Sequence, residues 1–193
     1  MKYLIAGLGN IGEDYKHTRH NVGFDVADAF VARHEGAFKA DRLVDLAQCK
    51  WKGKIFVVIK PTTYMNLSGK AVKYWVDKEK IPLENVLVIM DELALPLEVL
   101  RLRPGGSDAG HNGLKSIQEA LGTNRYPRLR FGIGSDFARG RQVEYVLGSW
   151  TPQEWQIVQQ KIDKCVEIIE SFAAIGVERT MNNFNNLTFP PAR

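Results

Sequence analysis

Short apolar runs alternate along this chain with amphipathic stretches of helical length, and that alternation restricts it to a sheet packed between helices. Residues 2–7 read as a strand, 8–20 as a polar loop, and 21–35 as a helix that turns Val22, Phe24, Val26, Ala27, Phe30 and Val31 inward before Gly36 stops it. Residues 44–51 and 54–60 read as two strands about the turn signal Lys52-Gly53, with Pro61 ending the second. The pattern then predicts a helix from about Asn66 to Lys78, a buried strand over Asn85 to Met90 and a half-buried one over Val99 to Arg103. After a loop from Gly105 to Gly110 come a helix to Leu121, a strand over Arg128 to Ile133 and a short strand near Val143 to Leu147. Thr151-Pro152-Gln153-Glu154 is a capping box with proline at the first helical position. The helix it opens runs to Gly176, with Trp155, Val158, Ile162, Val166, Ile169 and Phe172 recurring at helical spacing. Asn182 to Arg193 is expected to be a loosely held tail. The expected fold class is α/β: a single domain over residues 1–193, built as a mixed twisted β-sheet flanked by helices.

The bulk quantities agree with one compact enzyme-sized domain. At 193 residues and 45% hydrophobic, the chain can bury one sizeable core and is short for two. Met1-Lys2 leads straight into Tyr3-Leu4-Ile5-Ala6-Gly7, which is too short and glycine-broken for a signal peptide, and no later apolar run approaches membrane length. A cytoplasmic protein is expected. Cys49 and Cys165 stand alone, without a Cys-x-x-Cys pattern or a neighbouring histidine, and read as buried apolar thiols.

Charge is concentrated in one block. Residues 101–141 carry eight bases (Arg101, Arg103, Lys115, Arg125, Arg128, Arg130, Arg139, Arg141) against three acids (Asp108, Glu119, Asp136), an excess greater than the +4 of the whole chain. Arginine forks bond phosphate oxygens in pairs, so the block reads as an anion-binding face suited to nucleic acid. It also contains a glycine-rich loop that ends in Gly110-His111-Asn112-Gly113.

Several polar residues stand just past apolar runs or just before helical patterns: Asn10, His20-Asn21, Met65-Asn66 and Asn112. These are the places where an α/β sheet delivers strand ends into a crevice. Neutral hydrogen-bonding groups around one imidazole suit a hydrolase that holds a polar substrate and activates water. Gly7-Leu8-Gly9-Asn10-Ile11-Gly12 matches the dinucleotide fingerprint, but the charged, aperiodic segment 13–20 that follows is no Rossmann helix. The glycines are expected to shape a tight loop presenting Asn10 and Tyr15. Metal ligation is not expected either, since His17 and His20 are three apart in a loop and His34 and His111 have no ligand pattern around them.

Six segments carry a specific resemblance. They are Gly7-Leu8-Gly9-Asn10 with Gly12 and Tyr15, Thr18-Arg19-His20-Asn21-Val22-Gly23, Lys60 through Gly69, Asp91-Glu92-Leu93, Gly110 through Ile117, and Arg130-Phe131-Gly132-Ile133-Gly134. In order and across nearly the whole chain, they resemble the motifs of bacterial peptidyl-tRNA hydrolase. The resemblance implies a monomeric α/β esterase, using no metal or other cofactor, that cleaves the ester between a stalled peptide and the 3′ end of tRNA and so recycles tRNA. It implies His20 as general base and Asp91 as the carboxylate orienting its imidazole. It further implies Asn10, Asn66 and Asn112 as holders of the peptide, the terminal adenosine and the oxyanion, Tyr15 and Met65 as pocket walls, and Arg103 and Arg130 as a clamp for tRNA phosphate.

Three departures from the pattern accompany it. Ala94 stands where the family usually has a second acid, Glu98 follows where a glycine is usual, and Gly105-Gly106-Ser107-Asp108-Ala109 differs from the commoner glycine-rich loop, a presumed lid. Arg103 stands where the clamp often has lysine, which keeps the charge and alters its geometry. Two alternatives remain open at this stage: a non-catalytic RNA-binding relative of the same fold, and a dinucleotide-binding oxidoreductase.

Overall fold

The structure, a computed structural model, describes residues 1–190. Seven strands form one sheet: β1 (Lys2–Gly7), β2 (Lys39–Asp41), β3 (Val44–Trp51), β4 (Lys54–Pro61), β5 (Val86–Glu92), β6 (Leu100–Arg103) and β7 (Arg128–Gly132), in the order β2-β3-β4-β1-β5-β7-β6. β1, β4, β5 and β7 run parallel, while β2, β3 and β6 join the two flanks antiparallel. The helices are α1 (Val22–Arg33), α2 (Ser68–Glu79), α3 (Asn112–Leu121), α4 (Gln142–Val146), α5 (Pro152–Ile175) and α6 (Val177–Phe184). This is the mixed sheet between helices that the alternation predicts.

Two cores lie on opposite faces of the sheet. Ile5, Val58, Ile89, Leu129 and Phe131 pack under α1 and α5, while Leu4, Ala6, Val57, Val88 and Met90 pack under α2 and α3. Because the central strands are covered on both sides, they are continuously apolar rather than alternating; β5 is buried at every residue through Asp91 and Glu92. The two cysteines are free and buried.

The chain leaves β1, pairs on one side through β4 and later returns on the other as β5, so the strand order reverses beside β1. Ligands in open α/β sheets bind in the crevice at such a point, beyond the carboxyl ends of the strands. Glycine lets a helix close on that end. A Cβ on Gly23 of α1 would lie 2.4 Å from Leu8 N, 2.5 Å from Leu8 O and 2.6 Å from Ile89 O, all backbone atoms that cannot rotate aside. Gly69 allows the same approach between α2 and α3, where its Cβ would stand 2.1 Å from Ser116 O.

Differences from the expectations have local causes. Residues 142–146 form a helix, not a strand: Tyr145 N bonds Arg141 O and Leu147 N bonds Val143 O in the helical manner. The tail is docked as far as it is described. It forms α6, Asn185 exchanges two hydrogen bonds with the Leu102 backbone on the edge strand β6, and buried Phe189 donates its N–H to Glu98 O. Residues 191–193 lie outside the described residues. In α1, Phe24 is half-buried and Asp25 is buried instead. The capping box of α5 is present in both directions, with Thr151 and Glu154 exchanging bonds of 2.9 and 3.1 Å.

Gly23→Ala should cost about 3 kcal/mol, since the added methyl can be accommodated only by moving backbone. Chemical denaturation of the variant at neutral pH checks this, and a loss within about 0.5 kcal/mol would contradict the close packing of α1 on β1.

Candidate active site

Asp91 is the last residue but one of β5 and is buried, so both its oxygens need donors. They find two imidazoles. His20 Nδ1 lies 2.8 Å from Oδ2, and His111 Nε2 lies 2.9 Å from Oδ1. His20 comes from a single 3-10 turn, Arg19–Asn21, that leads into α1. His111 is the N-cap of α3, where its Nδ1 accepts the backbone N–H groups of Gly113 and Leu114 at 3.1 and 3.3 Å.

These contacts determine the tautomers. His111 Nδ1 faces two donors and must present a lone pair, so its proton sits on Nε2 and is given to Asp91. His20 gives its Nδ1 proton to the other carboxylate oxygen, which leaves the Nε2 lone pair without a partner among the described residues. The two rings are 5.2 Å apart. Burial alone would disfavour charge on Asp91, but the His111 and His20 rings outweigh it and hold the carboxyl below its ordinary range. Burial also works against a charged His20, yet the attraction and hydrogen bond of Asp91 prevail and raise its pKa above 6.5.

A cavity of about 270 Å³ opens over this triad. Asn10, His20, Asp91, His111 and Asn112 line it, and Gln142, Val143, Val146 and Leu147 supply the facing wall. Asn10 is held by its backbone: Asn21 Oδ1 accepts its N–H and Asn21 Nδ2 donates to its carbonyl, both at 2.8 Å. Its side-chain amide is thereby left for the cavity. A second cavity of about 480 Å³ adjoins through Asn10 and Leu147 and is mainly apolar, with Ile11, Tyr15, Tyr64 and Leu67 on its walls.

The expected site residues therefore separate. His20, Asp91, Asn10 and Asn112 meet at one cavity, and Tyr15 lines the adjoining one. Met65 is buried beneath them, its sulfur 2.8 Å from where a Gly113 Cβ would be, and belongs to the core under α2 and α3. Asn66 is exposed on the Met65–Leu67 turn and lines neither cavity. Arg130 is engaged, with Nη1 2.6 Å from Glu92 Oε1 and Nη2 2.6 Å from Ser107 O. Arg103 is half-buried on the edge strand beside Arg101 and Arg130; burial and these two like charges lower its pKa.

The basic block is thus only partly an anion-binding face. Arg128 is fully buried and donates to the carbonyls of Gly106, Ser107 and Asn124, Arg141 pairs with Glu144, and Arg101 bonds Asn185 O. Lys115, Arg125 and Arg139 are exposed. The arginines at 128 and 130 pin the loop before α3.

One reading changes with the geometry and one stands. His111, which has no ligand pattern in its sequence neighbourhood, is a member of the site; its place immediately before the helical pattern at Asn112 was the available signal. The glycine fingerprint does not lead into a helix N-terminus. After Gly12 the chain makes the short turn Glu13–Tyr15, and α1 begins only at Val22, so a dinucleotide phosphate would lack its usual helix-end donors. His20, Asp91 and His111 do bring three potential metal-binding atoms within 4.8 Å of one another. A cation there would take the place of the imidazole protons that already satisfy both oxygens of Asp91, so the donor set fits a hydrogen-bonded triad better.

A family model described as peptidyl-tRNA hydrolase matches residues 4–191. The chain belongs to the peptidyl-tRNA hydrolase family. It is 54% identical to the peptidyl-tRNA hydrolase of Parabacteroides distasonis, over 96% of this chain and all of that one, and 52% identical to that of Porphyromonas gingivalis with the same coverage. The crystal structure of peptidyl-tRNA hydrolase from Acinetobacter baumannii is similar with a TM-score of 0.92 at 31% identity, covering 97% of this chain and 96% of that one. Among the described residues no helix is long and apolar enough to cross a membrane.

Beside the triad, His17 Nδ1 lies 2.8 Å from Asp25 Oδ1 and fastens the His20-bearing segment to α1. Burial pushes the Asp25 carboxyl up from 3.8 to about 6; His17 and Lys60 oppose this, and Asp28 adds to it. The folded state therefore binds the proton more tightly than the unfolded chain, so this contribution to stability is present below pH 3.8 and is lost as pH rises through about 6. Asp25→Asn should gain about 2 kcal/mol relative to wild type between pH 4 and pH 7. Denaturant midpoints across that range check it; a difference independent of pH would contradict the burdened carboxylate.

Proposed function

We infer that this chain hydrolyses the ester that joins a peptide, or an N-acylated amino acid, to tRNA, with His20 as general base and Asp91 as the carboxylate that supports it. The observation that carries this is the sharing of Asp91 between two imidazoles, which leaves His20 Nε2 as the open lone pair at the cavity. In this reading Nε2 takes a proton from water as its oxygen attacks the ester carbonyl. The imidazolium is steadied by Asp91, and the proton passes to the departing ribose oxygen of the terminal adenosine. Asn10 and Asn112 donate hydrogen bonds to the peptide and to the developing oxyanion, a task for amides because they donate without titrating.

The adjoining apolar cavity suits the peptide, with Tyr15 as one wall. Met65 acts from below by supporting Gly113 and the start of α3, and Asn66, at the surface, meets the substrate only outside the cavity. Arg103 takes tRNA phosphate, and the crowding of Arg101, Arg103 and Arg130 favours an anion there. Arg130 serves that clamp by holding the loop of Ser107 in place. The protein acts as a monomer in the cytoplasm, where its tRNA substrate is made and used.

The test is release of an N-acylated amino acid from charged tRNA in the presence of a chelator. His20→Ala should lower kcat by at least about a hundredfold while tRNA affinity stays within about twofold. Tight tRNA binding without cleavage by the wild type would instead place the chain with non-catalytic RNA-binding relatives. In the pH dependence of kcat/KM, the acid limb should lie above 6.5 for wild type and fall in Asp91→Asn, because burial then acts on His20 without the carboxylate. Arg103→Ala should weaken tRNA binding and reduce the slope of log affinity against log salt by about one; an unchanged slope would remove Arg103 from the phosphate contacts.

A further inference from the structure

The cavity wall opposite His20 rests on a short helix at the surface. α4 is five residues long and buries none of them, and Val143 is 69% exposed, yet Val143, Val146 and Leu147 face the catalytic cavity. It is attached to the rest of the fold by the packing of Tyr145 and Val146 against the core under α1 and α5, by the Tyr145 hydroxyl, which donates to Ile133 O at 2.6 Å, and by one buried side chain from the catalytic turn, Arg19.

Arg19 immediately precedes His20. Its Nη1 donates to Tyr145 O in the last turn of α4 at 3.3 Å and to Ser149 O at 3.2 Å, and its Nη2 lies 3.2 and 3.4 Å from the two carboxylate oxygens of Glu154 on α5. Its backbone N–H donates to Gly148 O at 3.0 Å. The guanidinium also sits 4.2 Å from the Tyr145 ring centre and 5.0 Å from that of Trp150. Gly148 makes the approach possible, since a Cβ there would be 2.8 Å from Arg19 Nη1. A cation at the carbonyl end of a helix is favourable, and only a planar fork can bond carbonyls and a carboxylate while stacking between two rings.

We propose that Arg19 is a positioning residue that ties α4 and the segment through Trp150 to the turn carrying His20, so that the cavity wall and the catalytic imidazole keep a constant relation. Its effect on turnover rests on the hydrolase reading above; the tether itself does not. Lysine at position 19 keeps the charge but loses the fork, the stack and all but one or two of the bonds.

The experiment compares amide hydrogen exchange of the free, full-length wild type, Arg19→Lys and Glu154→Gln with turnover of N-acylated aminoacyl-tRNA by the same three proteins. Glutamine at 154 keeps the capping box of α5 while removing the charge that holds Nη2. Exchange over residues 142–148 should rise about tenfold in Arg19→Lys and less in Glu154→Gln, with the strands unchanged. In Arg19→Lys, kcat should fall about tenfold while tRNA affinity and the acid limb set by His20 stay in place, a pattern that general destabilisation does not produce. Wild-type exchange over 142–148 in Arg19→Lys would overturn the tether, and faster exchange with wild-type kcat would overturn its link to catalysis. Should Arg19→Lys fail to fold, Glu154→Gln decides by the same two readouts. A wild type that does not cleave the substrate refutes the hydrolase reading and leaves the exchange result to judge the tether.

Discussion

A buried carboxylate with two oxygens and two histidine partners sets the requirements for everything around it. Asp91 can be ionised at the end of a fully covered strand only if each oxygen accepts a hydrogen bond, and His20 and His111 meet that need from elements far apart in sequence. The donors must then be fixed in their turn. His111 is fixed by the start of α3, whose first free N–H groups bond its Nδ1, and His20 by a turn that Arg19 and Asn21 anchor on either side. The reversal of strand order beside β1 places the end of β5 next to that of β1, which brings Asn10 to the same crevice.

Arginine does two kinds of work in this molecule, and charge alone does not tell them apart. Arg101 and Arg130 are directly paired across β6 and β7, as are Arg103 and Arg128, so four guanidiniums share one face of two short strands. Such crowding is tolerable because three of them are taken up by loop carbonyls, by Glu92 or by Asn185. The bonds of Arg128 and Arg130 to Gly106 O and Ser107 O hold the loop from Gly105 to Gly110, which delivers His111 and Asn112 to the cavity. The fourth, Arg103, lacks a comparable acceptor, its one bond being a 3.4 Å contact to the Leu102 carbonyl. The same charge block therefore shapes the site with its buried members and leaves its outer members at the surface.

Periodicity made most of the fold legible, because burial imposes a period of two or 3.6 wherever one face of an element is covered. It failed where that condition failed. β2 is three exposed residues, and Val143 to Leu147 alternates like a strand although the chain there closes a helical turn, from Tyr145 N to Arg141 O. α6 could have been read from Val177, Met181 and Phe184, which share a helix face, but polar neighbours hide so short a pattern. For the site, His20 and Asp91 are 71 residues apart, and no spacing rule predicts their contact; the resemblance supplied it. His111 was missed because its role is three-dimensional: it is a cap in sequence and a bridge in space. Met65 carried the opposite ambiguity, since a buried methionine beneath a site and one lining it look alike in sequence.

The bridge also gives the site a direction. Asp91 could in principle support either imidazole as a base, and the two rings are only 5.2 Å apart. They differ in what the far nitrogen meets. On His111 that nitrogen accepts from Gly113 and Leu114, and a proton placed there would face two N–H groups and forfeit both bonds at the start of α3. On His20 the far nitrogen meets the cavity. Of the two imidazoles, His20 therefore presents the open nitrogen to the cavity, and the carboxylate behind it is held in turn by His111 at a helix end. The asymmetry of a nearly symmetric His-Asp-His arrangement thus follows from a helix cap, which is a matter of folding before it is one of chemistry.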